Sequence, residues 1–168
     1  MSEHTITKEQ VHDLWQRLTR EAKAGGYQLN PDREFTGDLV HSLIVNQQRY
    51  GYQACPCRLA AGDKQADLDI ICPCDYRDAD LGEYGTCYCG LYVSKDVVDG
   101  RKAIKMIPER RPTAAHRGKA PAVEQTAGTE LALPVWRCRV CGYLCARETP
   151  PEVCPICKAK KERFQRFM

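Results

Sequence analysis

Apolar side chains recur at Val11, Leu14, Trp15, Leu18 and Ala22, the three- and four-residue steps that line one face of an α-helix. Thr7, with Gln10 three residues on, forms a capping-box pattern at the start of this segment, and Gly25-Gly26 supplies a stop. A second helix is predicted from about Thr36 to Tyr50, with Leu39, Val40, Leu43 and Ile44 on its buried side and Gly51 at its end. Residues 64–71 suit a short third helix, although the alternation of Ala66, Leu68 and Ile70 also suits a strand. The stretch from Asp75 to Thr86 is polar and acidic, carries Gly82 and Gly85, and reads as a surface loop. Between Pro108 and Pro134 the apolar period stops, and Ala, Pro, Thr and charged residues take over. That stretch reads as a tether, with an end-to-end span of roughly 30 Å if flexible.

A chain of 168 residues fits one ordinary domain or two small ones, and its eleven cysteines fall into two separated groups, which favours two. No run of eighteen apolar residues is present, so no membrane span is expected. The first residues lack a basic flank followed by an apolar core, so no export signal is expected, and cysteines of this kind point to a reducing cytoplasm. Charge is uneven. Residues 135–168 hold eight Lys/Arg against three acids, a net of +5, while the first 134 residues come to −2. A basic tail attracts nucleic acid or an acidic electron carrier, and composition does not choose between them. His4, His12, His41 and His116 fall in no motif, and solvated or packing roles are expected of them.

Six cysteines form three Cys-x-Cys pairs, Cys55-Pro56-Cys57, Cys72-Pro73-Cys74 and Cys87-Tyr88-Cys89. Thiols at such short spacing point to a metal or redox centre. A single iron-sulfur cluster takes four thiolates, which leaves two for dithiol chemistry. Spacing alone equally allows all six to hold zinc or a cluster as a scaffold.

The residues around the pairs are more specific. Gln53-Ala54-Cys55-Pro56-Cys57-Arg58, Ile71-Cys72-Pro73-Cys74 and Thr86-Cys87-Tyr88-Cys89-Gly90-Leu91-Tyr92, after a helix ending in Tyr50-Gly51-Tyr52, resemble the catalytic subunit of ferredoxin:thioredoxin reductase over roughly residues 5–107. The resemblance implies a mostly helical domain organised around a 4Fe-4S cluster beside a redox-active disulfide. Carried over by motif position, Cys55, Cys72, Cys74 and Cys87 would bind the cluster, and Cys57 and Cys89 would form the disulfide. It also implies ferredoxin or a similar one-electron donor, and a thioredoxin- or glutaredoxin-like protein disulfide as substrate. In the implied sequence, Cys57 attacks the target disulfide while Cys89 stays associated with the cluster, and a second electron frees Cys89 to resolve the mixed disulfide. The gap from Cys57 to Cys72 is shorter than in the photosynthetic enzymes and that from Cys74 to Cys87 longer. The last pair encloses Tyr88 where those enzymes have histidine, which leaves the proton donor open. These departures suggest the broader group of ferredoxin:disulfide reductases, with a different target protein.

Near the end, Cys138-Arg139-Val140-Cys141 and Cys154-Pro155-Ile156-Cys157 are two Cys-x-x-Cys knuckles, a spacing that lets four sulfurs converge on one iron or zinc. With Trp136, Tyr143 and Phe164 they resemble a rubredoxin domain of the short type found in rubrerythrins. The resemblance implies that Cys138, Cys141, Cys154 and Cys157 hold one mononuclear iron, zinc being the alternative, with the three aromatic residues packing the core. Lys158 stands where that family has glycine at positive φ, and local strain is expected there. Cys145 is expected to be a core-side thiol and not a ligand.

The expected architecture is thus a mostly α domain organised around an iron-sulfur cluster (1–107), a linker (108–134) and a small β/loop rubredoxin-like metal domain (135–168). The expected function is ferredoxin-dependent disulfide reduction, with the rubredoxin as an electron relay. The other readings are an electron-transfer protein without thiol chemistry and a zinc-ribbon module on nucleic acid. Neither a membrane nor nucleic acid is the expected partner.

Overall fold

The computed structural model describes residues 5–113, 116–117 and 133–167. Helix α1 spans Lys8–Ala24, and its capping box is complete: Gln10 N–H donates to the Thr7 hydroxyl and Thr7 N–H to the Gln10 side chain. Two orphan amides at the helix start are thereby satisfied. Helix α2 runs over Arg33–Tyr50, capped by Asp32 and closed by Gly51 at φ 81. It starts three residues earlier than its apolar period predicts, because the Asp32 carboxylate accepts from Phe35 N–H. Helices α1 and α2 pack Leu14, Leu18 and Ala22 against Leu39, Val40, Leu43 and Ile44, the centre of the front core.

The apolar stretch at 64–71 yields only a 3₁₀ turn over Leu68–Ile70. Ile71 then leaves in an extended conformation to bridge Ala54. Residues 75–86 are not a loop: Arg77–Tyr84 form helix α3, ended by Gly85 at φ 80. Asp78 and Asp80 in the first turn suit the helix dipole, and Leu81 is buried. Strands β1 (Gln28–Leu29) and β2 (Tyr92–Val93) pair antiparallel, and the one-turn helix α4 covers Lys95–Val98.

The tether expected at 108–134 lies mostly outside the described residues. Its start is fastened to the front domain: Glu109 pairs with Arg58, Arg110 with Asp80, and Arg111 with Asp67 and Asp69. The C-terminal unit is a three-stranded antiparallel sheet in the order β4-β3-β5, with β3 Val135–Cys138, β4 Leu144–Ala146 and β5 Phe164–Arg166. Its core is Cys138, Val140, Cys154, Cys157, Ala159 and Phe164. Among the described residues no helix is long and apolar enough to cross a membrane.

Candidate metal centres

The end of α2 hands the chain to the first cysteine pair, and two backbone bonds tie that pair to the second. Cys55 N–H donates to the Ile70 carbonyl at 2.8 Å and Cys72 N–H to the Gln53 carbonyl at 2.8 Å. Cys74 sits just before α3, whose Arg77 N–H donates to the Cys74 carbonyl. The third pair lies on a tight turn in which Gly90 N–H reaches the Cys87 carbonyl at 2.8 Å. Gly90 has φ 76, and a Cβ there would come within 3.1 Å of the Phe35 ring, so only glycine closes this turn without strain.

Cys55, Cys72, Cys74, Cys87 and Cys89 consequently line one recess with Arg58, Arg77, Tyr88 and Tyr92. No two of the eleven cysteines are joined in a disulfide. Cys57 is exposed, whereas Cys55, Cys74, Cys87 and Cys89 are buried. The Cys89 thiol is shared among Cys55, Cys57 and Cys87, the last at 3.6 Å, and these bonds push it well above the ordinary thiol range. The same sharing lowers Cys57 to about 7: the bond from Cys89 contributes most, and the Arg58 charge assists against partial burial. Burial opposes ionisation of Cys87, yet the Cys89 thiol and the Tyr92, Leu91 and Gly90 amides outweigh it and lower that group.

Cys72 and Cys74 behave in the opposite way. Burial raises Cys72 well above the usual range and pushes Cys74 up to about 12, even with the Arg58 guanidinium 3.2 Å from the Cys74 sulfur. Thiolates at these positions need a compensating positive centre, which a cationic metal core supplies. The donor set thus fits an iron-sulfur cluster, and its sulfurs do not converge on one ion as the C-terminal set does.

Several residues that spacing did not single out complete the front site. Arg58, with a side chain 1% exposed, lies between the rings of Tyr76 at 4.8 Å and Tyr88 at 4.4 Å and bonds Glu109. Tyr88, in place of the family histidine, is therefore a stacking partner for Arg58. Tyr92 N–H donates to the Cys87 sulfur at 3.2 Å, and its hydroxyl lies 3.9 Å from the Cys72 sulfur. Position beside a Cys-x-Cys pair is the only sequence signal these residues carry.

In the C-terminal unit the sulfurs of Cys138, Cys141, Cys154 and Cys157 all lie within 4.8 Å of one another. The Cys138–Cys157 and Cys141–Cys154 separations are 3.6 Å, against an edge of roughly 3.8 Å for a tetrahedron with metal–sulfur bonds of about 2.3 Å. Cys157 donates to Cys138, which lowers Cys138 to about 5 and raises Cys157. Cys145 is half-buried on β4 opposite Trp136 and stands outside the four-sulfur set.

A front unit that gathers six thiols in and around one recess, joined to a four-sulfur metal site, defines a thiol-redox metalloprotein. Its family follows from comparison: the model of the ferredoxin thioredoxin reductase catalytic beta chain matches residues 4–110, and the chain belongs to that family. It is accordingly an oxidoreductase acting on disulfides with ferredoxin as donor. Residues 136–165 match the rubredoxin-like domain of rubrerythrin. None of the curated proteins matches the chain closely enough to add to this.

Proposed function

We propose that the chain reduces the disulfide of a thioredoxin- or glutaredoxin-like protein in a reducing cytoplasm, with Cys57 and Cys89 as the reacting pair. The observation that carries this is the contrast between the two thiols: Cys57 is exposed and lowered to about 7, whereas Cys89 is buried, raised and hydrogen-bonded to it. The Cys57 thiolate attacks one sulfur of the target disulfide, and the other target sulfur leaves as a thiolate. Cys89 then attacks the Cys57 sulfur, closing a Cys57–Cys89 disulfide and releasing the second target thiol. Two electrons and two protons restore the dithiol. Cys55, Cys72, Cys74 and Cys87 would hold a 4Fe-4S cluster, which would supply those electrons singly beside the pair. Tyr88 stacks on Arg58, so the reaction's proton comes from the thiol set itself, Cys89 being the group that holds one tightly.

Leu59, two residues beyond Cys57, is 92% exposed, an apolar contact point for a protein target. Cys138, Cys141, Cys154 and Cys157 would hold a mononuclear iron, which would supply one-electron transfer to the front domain. Metal analysis with thiol counting tests the assignment. About five irons per chain are expected, with two additional thiols appearing on reduction and absent in Cys57→Ser. Colourless zinc protein, or an unchanged thiol count, would end this reading.

A further inference from the structure

The metal unit meets the front domain chiefly at residues 71–75, the segment that carries Cys72 and Cys74. Asp75 is the pivot. Its carboxylate pairs with Arg139 at 2.5 Å and with Arg163, whose Nε donates to Oδ1 at 3.1 Å. Arg163 also donates to the Ile71 carbonyl at 2.9 Å, and its side chain is 5% exposed. Lys64 and Glu162 add an exposed pair at 3.7 Å. A guanidinium buried against a carboxylate and a carbonyl of the other unit has been desolvated to make this contact, which distinguishes it from a rim ion pair.

The two arginines are neighbours of the metal site: Arg139 follows Cys138, and Arg163 precedes Phe164 of its core. A cleft of about 280 Å³ lies between the units, with Cys72 and Pro73 on one side and Lys158 and Ala159 on the other. Ala159 N–H bonds the Cys157 sulfur. The edge of the four-sulfur site at Cys157 thus borders the same cleft as Cys72. Among the described residues, the ion pairs and hydrogen bonds that join the units at Lys64, Ile71 and Asp75 lie outside residues 55–59 and 86–91. The exposed Cys57 remains free.

We propose that residues 71–75 are the docking face for the basic metal domain and that Asp75 is the latch. The face sets Cys72 and Pro73 across the cleft from Lys158 and Ala159, the residues that follow Cys157, and leaves the Cys57 side open, so the metal domain and a target protein occupy the front domain together. This placement rests on the relay reading for its purpose but not for its geometry. The charges agree with it: the tail unit is +5, and the latch is a carboxylate in the first 134 residues, which come to −2.

The test uses the full-length iron-loaded protein, with Arg139→Gln/Arg163→Gln and, from the opposite side, Asp75→Asn. Small-angle scattering reports docking independently of catalysis, and the visible spectra of both centres report that each domain is intact. With spectra unchanged, both variants should show a radius of gyration larger by several ångströms, matched by the parent protein at high salt. An unchanged radius in both variants overturns the latch and leaves the relay untouched. Undocking with no change in the single-turnover rate of disulfide reduction leaves the latch standing and removes the relay. Addition of a target trapped as a mixed disulfide on Cys57 in a Cys89→Ser background should leave the docked radius contribution in place, and displacement of the metal domain overturns joint occupancy.

Discussion

Lys158 has φ 61, a left-handed conformation that a side chain with a Cβ enters at a cost of roughly 1–2 kcal/mol. Glycine at the corresponding place of the family makes this legible from the sequence. The backbone turns there because Lys158 N–H donates to the Cys154 carbonyl, closing the second knuckle around its two sulfurs. Lys158→Gly relieves the strain and gives back part of the gain as chain entropy. The expected net is a stabilisation of the metal domain by about 1 kcal/mol, read from its urea midpoint with metal bound. No change, or a loss, would show that the Lys158 ammonium, 3.0 Å from the Pro155 carbonyl, outweighs the backbone. Leu59 exposes its side chain two residues beyond Cys57, the proposed attacking thiol. Leu59→Glu should leave folding and the reduction of a small disulfide unchanged while raising KM for a protein disulfide about tenfold, the cost of one lost leucine contact. Equal effects on both substrates would refute a docking role.

At the level of elements, α1 and α2 follow from the sequence because their burial is apolar save for Thr36 and their ends carry caps. Helix α3 does not, since two of its three buried residues are Arg77 and Asp80. Arg77 is held between the Tyr27 and Tyr92 rings and Asp80 by Arg110 and Arg58, partners that only the fold supplies. The same holds for the segment Glu109–Arg111, which reads as tether yet straps the domain. Arg111 pairs with Asp67, whose carboxylate also accepts from the Tyr52 hydroxyl and the Ala61 and Gly62 amides. Burial alone would raise the Asp67 carboxyl, but these donors together hold it below the usual 3.8. A depressed folded pKa contributes stability that is complete above the ordinary value and disappears as pH falls through the folded one. Asp67→Asn leaves Arg111 with Asp69 as its carboxylate partner but removes the buried charge that accepts from Tyr52, Ala61 and Gly62, and should cost about 2 kcal/mol at neutral pH. The gap between variant and parent in chemical unfolding should narrow below pH of about 4, and a gap independent of pH would assign the loss to packing.

For the whole molecule, the two units are stabilised in different ways. The front domain has an apolar core built on the helix side chains Leu14, Leu18, Val40 and Leu43 and joined by Ile70 and Leu91, extending beyond its cysteines. The metal domain has little besides its ligands: three of the six buried residues in its core are Cys138, Cys154 and Cys157, with only Val140, Ala159 and Phe164 to add. So small an apolar core does not offset the chain entropy of about thirty residues, and metal binding must provide the difference, which for structural sites is on the order of 10 kcal/mol. Without metal, four thiols would be left to share protons in place of a cation. Stripping metal from the C-terminal site under reducing conditions is therefore expected to abolish amide-exchange protection in β3, β4 and β5. The helical signal of α1 and α2 should persist, since Leu14, Leu18, Leu39, Val40 and Leu43 pack on one another without any sulfur. Hydrogen exchange resolved by peptide checks both halves in one sample. Protection retained in the stripped sheet would mean that Trp136, Tyr143 and Phe164 hold it unaided, and collapse of the two helices would mean that the front core depends on its cysteines as the tail does.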